Sequence, residues 1–248
     1  MSRNYISKNT VDKIISARSV VFFTGAGISA ESGIPIFRGK DGIWNKLKPD
    51  ELANFNSFLK NPDLVWEWYN HRKKVIHESE PNKGHLTIAE FENILPEVIV
   101  VTQNIDNLHK RAGSSNVYEL HGNIERNYCI KCNKFYNGEI ELKDSAPRCE
   151  CGGLIRPDVV WFGEYLPQEQ FIASEKAAQD SDVFFIVGTS AVVYPAASLI
   201  YTAKENGAYM VEINLEPTEA SGIVNDSLLG KAGDILPDLL NEVKNKLS

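Results

Sequence analysis

The chain has 248 residues, of which 43% are hydrophobic, and this suits one large α/β domain, or a large and a small one, around a full hydrophobic core. Its formal net charge of −7 argues against long-range attraction to nucleic acid or to an anionic membrane, so any anionic ligand must be held by local groups. The beginning, MSRNYISKNT, has no apolar signal-peptide core, and no later apolar run could span a bilayer, so we expect a cytoplasmic protein without membrane or nucleic-acid partners.

Short runs of β-branched and aromatic residues alternate with helical patterns along most of the chain. Six runs predict strands: SVVFFT (19–24), VIVVT (98–102), VYELH (117–121), DVVWF (158–162), DVFFIVG (182–188) and AYMVEIN (208–214). Nearly continuous apolar strands separated by helices are typical of a parallel sheet covered on both faces. The pattern therefore predicts a doubly wound, Rossmann-like α/β domain.

Two segments interrupt this alternation. Residues 40–95 have helical patterns rich in Trp, Asn and Pro, and residues 124–157 carry the cysteines. Both are longer than ordinary crossover connections, so we predict that they fold together into a smaller, helical and metal-binding domain. Residues 1–39, 96–123 and 158–248 would then form the larger domain. A cleft between the two would be the natural place for an active site.

The final segment, AGDILPDLLNEVKNKL, predicts an amphipathic helix with Asp234 near its N-cap. The helical spacing places five apolar side chains on the inward face: Ile235, Leu239, Leu240, Val243 and Leu247.

A glycine-rich turn follows the first predicted strand. In VVFFTGAGISAESG, Gly25 and Gly27 stand directly after the strand and ahead of a helical pattern. Glycines at such a turn let the backbone approach a pyrophosphate, whose charge the helix N-terminus then stabilises. A plain tight turn fits the same residues. The loop also departs from the dehydrogenase pattern, because the acidic residue usual about 20 residues further on has no clear counterpart.

Polar residues follow two other predicted strands. TQNIDNLH places Gln103, Asn104 and Asp106 after the strand VIVVT, and His121 ends the strand VYELH. The carboxyl ends of parallel strands meet at the ligand crevice of such sheets. One histidine at a strand end is more often a packing residue, but two strand ends that deliver Gln, Asn, Asp and His to one place favour a site.

The four cysteines form two close pairs, Cys129 and Cys132 as CxxC and Cys149 and Cys151 as CxC. In a reducing compartment such a cluster indicates a metal site in preference to two disulfides. Four thiolates suit tetrahedral zinc, and a site filled by protein ligands is structural, with no open position for catalysis.

The stretch WEWYNHRKK, residues 66–74, sets Tyr69 and Arg72 three residues apart. On a helix they project from the same face, so a phenol hydroxyl and a guanidinium can converge on one object. From these nine residues alone, a surface helix with a few packed aromatics is the simpler interpretation.

Together these motifs resemble one family. TGAGISAESGIPIFRG, TQNIDNLHKRAG, ELHGNI, the cysteine cluster, VVWFGE, GTS and INLE stand in the order found in sirtuins, from Ser19 to about Asp234. The resemblance implies a protein-lysine deacylase that consumes NAD as a co-substrate, contains structural zinc and acts, as a monomer, on proteins carrying acylated lysines. The products would be free lysine, nicotinamide and O-acyl-ADP-ribose.

The resemblance also implies residue roles. His121 would be the general base, which fits an imidazole that titrates near neutrality. Asn104 and Asp106 would hold the nicotinamide end of NAD and an ordered water, and Gln103 would contact the nicotinamide ribose. The residues assigned to cofactor binding are Gly25, Ala26, Gly27, Phe37, Arg38, Gln103, Asn104, Ile105, Asp106, Gly188, Thr189, Ser190, Asn214, Leu215, Glu216 and Ala232.

Within sirtuins, the YxxR pair and PNKGH (81–85) resemble the branch that removes succinyl and malonyl groups. Ala53 sits where that branch keeps a small side chain that widens the acyl pocket. A carboxylate at the tip of an acyl chain needs a charged partner once it leaves water, and Arg72 with Tyr69 would supply one. The substrate backbone would pair along an extended edge formed by Val160, Trp161, Phe162, Gly163 and Glu164.

Three other functions remain open on this sequence. A general NAD-dependent deacetylase would use the same site, with Tyr69 and Arg72 only tuning the pocket. An ADP-ribosyltransferase would pass the activated ribose to another nucleophile. A non-catalytic NAD sensor or zinc scaffold is disfavoured by His121 and the intact QNID.

The CxC spacing of the second cysteine pair departs from the CxxC of many sirtuins. This departure puts only the local zinc geometry in question.

Overall fold

The computed structural model describes residues 6–37, 48–138, 140 and 145–247. Six parallel strands form the main sheet: β1 (Val20–Thr24), β2 (Val98–Thr102), β3 (Val117–Glu119), β7 (Val183–Val187), β8 (Tyr209–Asn214) and β9 (Asp226–Leu229). Three further strands form a separate antiparallel sheet: β4 (Gly122–Cys129), β5 (Phe135–Asn137) and β6 (Ile155–Val159).

Ten helices lie within the described residues. They are α1 (Lys8–Ser16), α2 (Ala26–Ala30), α3 (Pro49–Leu52), α4 (Phe55–Lys60), α5 (Pro62–Glu78), α6 (Lys83–Phe91), α7 (Leu108–Arg111), α8 (Gln168–Asp180), α9 (Ser198–Glu205) and α10 (Ala232–Leu247). Asparagine side chains cap the beginnings of α4, α5 and α6: Asn54, Asn61 and Asn82 each accept a hydrogen bond from a backbone N–H of the first turn. The first turn of a helix leaves backbone N–H groups without a partner, and these asparagine side chains accept hydrogen bonds from some of them. The asparagines of the Trp- and Asn-rich segment therefore favour the beginnings of its short helices.

The strand order of the parallel sheet is β3-β2-β1-β7-β8-β9. The chain builds outward from β1 in one direction, then returns to the other side of β1 with β7. This is the arrangement of a doubly wound dinucleotide-binding sheet, and its reversal point lies between β1 and β7. The predicted doubly wound fold is confirmed.

Alternating side chains of the strands divide the core between the two faces of the sheet. On β1, Val20 and Phe22 pack with α1, α6 and α10, whereas Val21 and Phe23 pack with α8 and α9. All five residues of β1 are buried. A strand buried on both faces needs the continuous apolar sequence from which it was predicted.

One predicted strand was placed in the wrong sheet. Residues 158 and 159 of DVVWF end β6, which runs antiparallel to β4, and residues 160–162 lie beyond the strand. An apolar run reports burial but not the direction of its neighbour. Here Val159 and Trp161 are buried in a third apolar cluster, which packs β4 and β6 against α4 and α5. The polar strand β9 was not predicted at all.

The C-terminal helix places four of the five predicted residues in the core, but Leu247 is 51% exposed. It is the last residue of the helix, so its place in the helical repeat does not bury it. The proposed division into two domains stays a prediction. In it α6 belongs to the smaller domain, yet Ile88 and Phe91 of α6 pack into the core beside β1. Across the described residues, no helix combines the length and apolarity needed to cross a membrane.

Candidate active site

The carboxyl ends of all the parallel strands lie along one edge of the main sheet. Thr24 at the end of β1 is in register with Thr102 of β2 and with Val187 of β7. The segments that leave this edge carry Gly25, Gln103, His121, Gly188, Asn214 and Ala232. Residues that are far apart in sequence are thus brought to one row, at the position where such sheets bind ligands.

The glycine turn after β1 is pressed against the end of β7. The Gly27 N–H donates to the carbonyl oxygen of Gly188 at 2.7 Å. A Cβ on Gly27 would lie 2.7 Å from that oxygen, and Gly188 itself has a φ of +59°. Both positions therefore require glycine, one for close approach and one for its left-handed backbone. This geometry holds the turn against the end of β7.

Amide side chains join the neighbouring strand ends. Gln103 Nε2 donates to Thr189 Oγ1 at 2.9 Å, and Asn104 Nδ2 donates to the carbonyl oxygen of Gly25 at 3.0 Å. Asn214 Nδ2 donates to the carbonyl oxygen of Thr189 at 2.8 Å. The predicted residues on β1, β2, β7 and β8 are therefore one hydrogen-bonded group.

Asp106 is a buried carboxylate behind this group. Ser29 Oγ donates to its Oδ2 at 2.7 Å, and the Leu108 N–H donates to its Oδ1 at 3.0 Å. Burial raises the pKa of Asp106, while these two hydrogen bonds and the charges of Arg72 and Arg111 oppose the rise. The carboxylate is thus oriented by Ser29, which the sequence analysis did not single out although it lies inside GAGISAES.

His121 lies between β3 and β4 and has a defined tautomer. Its Nδ1 is 2.9 Å from the carbonyl oxygen of Gln103, and because a carbonyl only accepts, Nδ1 carries the hydrogen. Nε2 then holds the lone pair. Burial lowers the pKa of His121, and the bond to Gln103 partly opposes that shift. A neutral imidazole with a free Nε2 is what a general base near neutral pH requires.

Two further histidines form a buried pair beneath the site. The rings of His85 and His109 are edge to face with centroids 4.8 Å apart. His109 Nε2 is 2.9 Å from Thr24 Oγ1, and His85 Nε2 is 3.4 Å from Ser29 Oγ. Burial lowers the pKa of His85 to about 3 and lowers that of His109 well below its usual value. Neither was identified from sequence, because α6 and α7 meet only in the fold.

Tyr69 and Arg72 lie on one face of α5, and their side chains point inward. Tyr69 is 2% exposed and Arg72 is 6% exposed. The Arg72 guanidinium carbon lies 4.5 Å from the centroid of the Phe37 ring and 5.3 Å from that of Trp68. Arg72 and Asp106 shift each other's pKa, so the guanidinium faces the carboxylate region of the site. The surface-helix interpretation is therefore wrong for this pair.

Among the residues that the structure describes, the buried guanidinium forms no close ion pair with a carboxylate, although Asp106 lies near enough to influence its pKa. In the part of the chain that the structure describes, Arg72 makes no ion pair, and its Nε has no hydrogen-bond acceptor. Burial lowers the pKa of Arg72, although the neighbouring Tyr69 and Asp106 counteract this. An arginine held mainly by rings, with donors left over, can accept an anionic ligand.

The VVWFGE segment is fastened to the rest of the site. The Val160 N–H donates to the carbonyl oxygen of His121 at 2.9 Å, and the Phe162 N–H donates to that of Ala53 at 3.0 Å. The N–H groups of Trp161 and Glu164 also donate within the segment. A peptide that pairs here must therefore use backbone groups other than these four N–H groups. Gly163 has open space around it, because a Cβ built there would meet no atom within 4 Å. Ala53 is buried in the same cluster as Tyr69.

The remaining predicted cofactor residues differ in exposure. Ser190, Leu215 and Glu216 are exposed just beyond β7 and β8, whereas Ile105 and Ala232 are buried. Ala26 is half-buried as the first residue of α2. Arg38 lies outside the described residues.

The four cysteines converge at the far end of the antiparallel sheet. The Sγ atoms all lie within 4.8 Å of one another, with 3.5 Å between those of Cys129 and Cys151 and 3.6 Å between those of Cys132 and Cys149. A disulfide would require about 2.05 Å, whereas four thiolates at about 2.3 Å from zinc stand about 3.8 Å apart. The donor set and spacing therefore fit zinc.

The strand order, the glycine turn and the polar strand ends define a dinucleotide-binding fold, here combined with a four-cysteine module. A sequence model of the Sir2 family matches residues 25–195. The NAD-dependent protein deacylase 2 of Pyrobaculum aerophilum is 51% identical over 240 residues and covers 96% of each chain. The chain belongs to the Sir2 family, and the predicted family is confirmed.

Solved structures agree with this assignment. A crystal structure of a Sir2 homolog–NAD complex superposes with a TM-score of 0.93 at 43% identity, covering 99% of this chain and 96% of that one. A Sir2 variant with a deacetylated p53 peptide and 3'-O-acetyl ADP ribose superposes with a TM-score of 0.85 at 35% identity, covering 95% of this chain and 97% of that one.

The buried histidine pair predicts that the fold weakens in acid. The unfolded chain binds a proton at each histidine below about pH 6.5, whereas the folded chain does not until its lowered pKa is reached, so stability falls as pH falls. We expect His109→Gln to reduce the slope of the unfolding free energy between about pH 4.5 and 6.5 by up to about 1.4 kcal/mol per pH unit. Urea unfolding across this range measures the slope.

The matched control is His71→Gln, because His71 is exposed on α5. It should leave the slope unchanged. An unaltered slope in His109→Gln would contradict the assignment of a buried neutral imidazole.

The cysteine cluster predicts that metal and folding are coupled. The purified protein should contain about one zinc ion per chain, and Cys149→Ser should lose it, with a fall in Tm of about 10 °C or more. Metal analysis by mass spectrometry and thermal unfolding measure the two effects. Ser145→Ala, an exposed position on the same segment, should change neither. Full zinc content in Cys149→Ser would sink the four-thiolate assignment.

Proposed function

We propose that this protein is an NAD-dependent protein-lysine deacylase that prefers acyl groups ending in a carboxylate, such as succinyl and malonyl. Membership of the Sir2 family and a relative named as an NAD-dependent protein deacylase support the deacylase activity. The single observation that supports the acyl preference is the buried Arg72, which forms no close ion pair with a carboxylate of the described chain and stands one helical turn from Tyr69.

NAD would lie along the carboxyl edge of the parallel sheet. The turn at Gly25 and Gly27 would receive the pyrophosphate, and Thr189 and Asn214 lie on the side where the adenosine would bind. Asn104 and Asp106, held together through Ser29, would orient the nicotinamide end and a water. When bound, NAD supplies a ribose carbon that the acyl-amide oxygen attacks as nicotinamide leaves.

His121 would act after nicotinamide has left. Because Nδ1 donates to the carbonyl oxygen of Gln103, Nε2 is the atom that would take a proton from a ribose hydroxyl. The ribose oxygen would then attack the acyl carbon. Water then adds to the acyl carbon, the bond between that carbon and the lysine nitrogen breaks so that free lysine leaves, and the acyl group stays on the ribose as O-acyl-ADP-ribose. This role is supported by the contact between His121 and Gln103, the first residue after β2.

Acyl selectivity would come from desolvation. A carboxylate entering a buried pocket loses its water, and a paired guanidinium replaces the lost hydrogen bonds with charge-assisted ones. An acetyl group has no such tip, so it leaves Arg72 unpaired in the complex. A hydrogen bond to a charged group contributes about 1.5–3 kcal/mol, which corresponds to roughly tenfold to more than a hundredfold in selectivity.

One observation favours a general deacetylase as the second candidate. The guanidinium of Arg72 already lies against the rings of Phe37 and Trp68, and cation–π contacts offset part of the desolvation of a cation without any acid. In that case acetyl and succinyl peptides would react at similar rates. A monomeric state, cytoplasmic location and an extended pairing mode for the peptide stay predictions.

Arg72→Met is expected to lower kcat/KM for a succinyl-lysine peptide by about a hundredfold, because the acyl carboxylate loses its charged partner. The acetyl version of the same peptide should lose less than about threefold. Nicotinamide release measured on both peptides gives the two values.

Lys74→Met is the matched control, since Lys74 is an exposed cation on the same helix. It should leave both rates nearly unchanged. Equal losses on the two peptides in Arg72→Met would refute the role given to Arg72, while leaving the deacylase activity intact.

The lowered pKa of His121 sets the acid limit of the reaction. A base works only when it is unprotonated, so kcat/KM should fall in acid with an apparent pKa below the usual 6.5 of histidine. His121→Ala should lower the rate by at least about a hundredfold. The test is to measure kcat/KM for deacylation as a function of pH. An apparent pKa above 6.5 for the loss of activity in acid would contradict the prediction.

A further inference from the structure

We propose that Trp161 is a positioning residue that sets acyl selectivity by orienting the hydroxyl of Tyr69 as a hydrogen-bond donor toward the acyl carboxylate. The inference rests on the proposed function, because it concerns how the same pocket recognises an acidic acyl group. It assigns a role to the indole of Trp161, distinct from any pairing of its backbone with a peptide.

The hydrogen bond between the two side chains has only one possible direction. Trp161 Nε1 is 2.7 Å from Tyr69 Oη, and an indole N–H can donate but never accept. Tyr69 Oη is therefore the acceptor, and its own hydrogen must point elsewhere. Among the described residues, that hydrogen has no acceptor. The Tyr69 hydroxyl can therefore donate it to a ligand.

The Tyr69 hydroxyl is close enough to Arg72 for one ligand to contact both. Tyr69 and Arg72 are three residues apart on α5, and each shifts the pKa of the other through its charge. A carboxylate that pairs with Arg72 can therefore accept from Tyr69 as well. Burial raises the pKa of Tyr69 to about 12, so the phenol keeps its proton across the physiological range and is a donor to the anion.

The indole is itself held by a buried ion pair. The guanidinium carbon of Arg156 lies 3.4 Å from the Trp161 ring centroid. Arg156 donates to Glu164 Oε2 at 2.9 Å, and the same oxygen accepts from the Trp161 backbone N–H at 2.8 Å. Phe58 packs on the ring with centroids 5.2 Å apart. The direction of the indole N–H is thus fixed before substrate binds.

The stacked cation also strengthens the donor. A guanidinium over the ring face draws electron density from the indole, which makes its N–H a better donor. Hydrogen bonds in series polarise one another, so Tyr69 becomes a better donor in turn. Arg156, Trp161 and Tyr69 form a relay from the VVWFGE segment to the acyl pocket.

The test is a double-mutant cycle on selectivity. Trp161→Phe removes the N–H but keeps an aromatic ring, and Tyr69→Phe removes the hydroxyl. The readout is the ratio of kcat/KM for succinyl and acetyl versions of one peptide, because loss of folded protein or of peptide binding changes both rates together and cancels in the ratio. We expect the ratio to fall about fivefold in Trp161→Phe and about tenfold or more in Tyr69→Phe.

The decisive measurement is Trp161→Phe in the Tyr69→Phe background, where it should change the ratio by less than about twofold. Trp66→Phe is the matched control. The Trp66 indole is equally buried in the same cluster, but its N–H donates to the carbonyl oxygen of Ile155 at 2.8 Å. Its removal should lower Tm without moving the ratio.

The outcomes distinguish a failure of the proposed acyl preference from a failure of the role inferred for Trp161. If the unmodified protein shows no succinyl preference, the proposed acyl preference fails and the relay with it. If the preference exists and Arg72→Met abolishes it, but Trp161→Phe leaves the ratio unchanged, the proposed function stands and the relay is wrong. A fivefold fall that persists in the Tyr69→Phe background would also overturn the relay, since the effect would not pass through the hydroxyl.

Discussion

The close contact between Gly27 and Gly188 is the constraint on which the site depends. It joins the ends of the strands on either side of the reversal point, β1 and β7, and the Gly27 N–H donates to Gly188 O at 2.7 Å. A Cβ at either residue would meet backbone within 2.7 Å. With the turn held against β7, the side chain of Gln103 donates to Thr189 and that of Asn104 donates to Gly25. These hydrogen bonds connect the ends of β1, β2 and β7.

The buried charges of the described residues differ in how they are paired. Arg156 is paired with Glu164, and Glu119 is paired with Lys110 and Arg126. Glu212, fully buried, accepts hydrogen bonds from three hydroxyl groups. A buried charge that keeps unused donors is destabilising unless something else binds it. Against this background Arg72 differs, because its recorded contacts are with the rings of Phe37 and Trp68, and this difference is the basis for proposing that an acyl carboxylate pairs with it.

The sequence predicted most of what depends on local pattern. Continuous apolar runs identify five strands of the parallel sheet, and polar residues directly after them identify Gln103 and His121. What it could not predict depends on contacts between distant segments. Val159 and Trp161 are apolar because they pack in the third cluster, not in the parallel sheet. Ser29 and His85 meet only because α2 and α6 pack together, and the bond from Trp161 to Tyr69 joins residues 92 positions apart. Periodicity carries no information about such partners.

The structure also links the metal module to the proposed base. His121 lies directly before β4, and Cys129 is the last residue of that strand. Between them, Asn123 and Arg126 donate to the two oxygens of Glu119, so the beginning of β4 is fixed to the end of β3. The pairing of β4 with β6 is regular again from Asn127 to Cys129, after a register shift between Asn123 and Asn127. A zinc ion held by the four cysteines would have no open position for chemistry, yet it would fix one end of β4, the strand that directly follows the proposed base, His121.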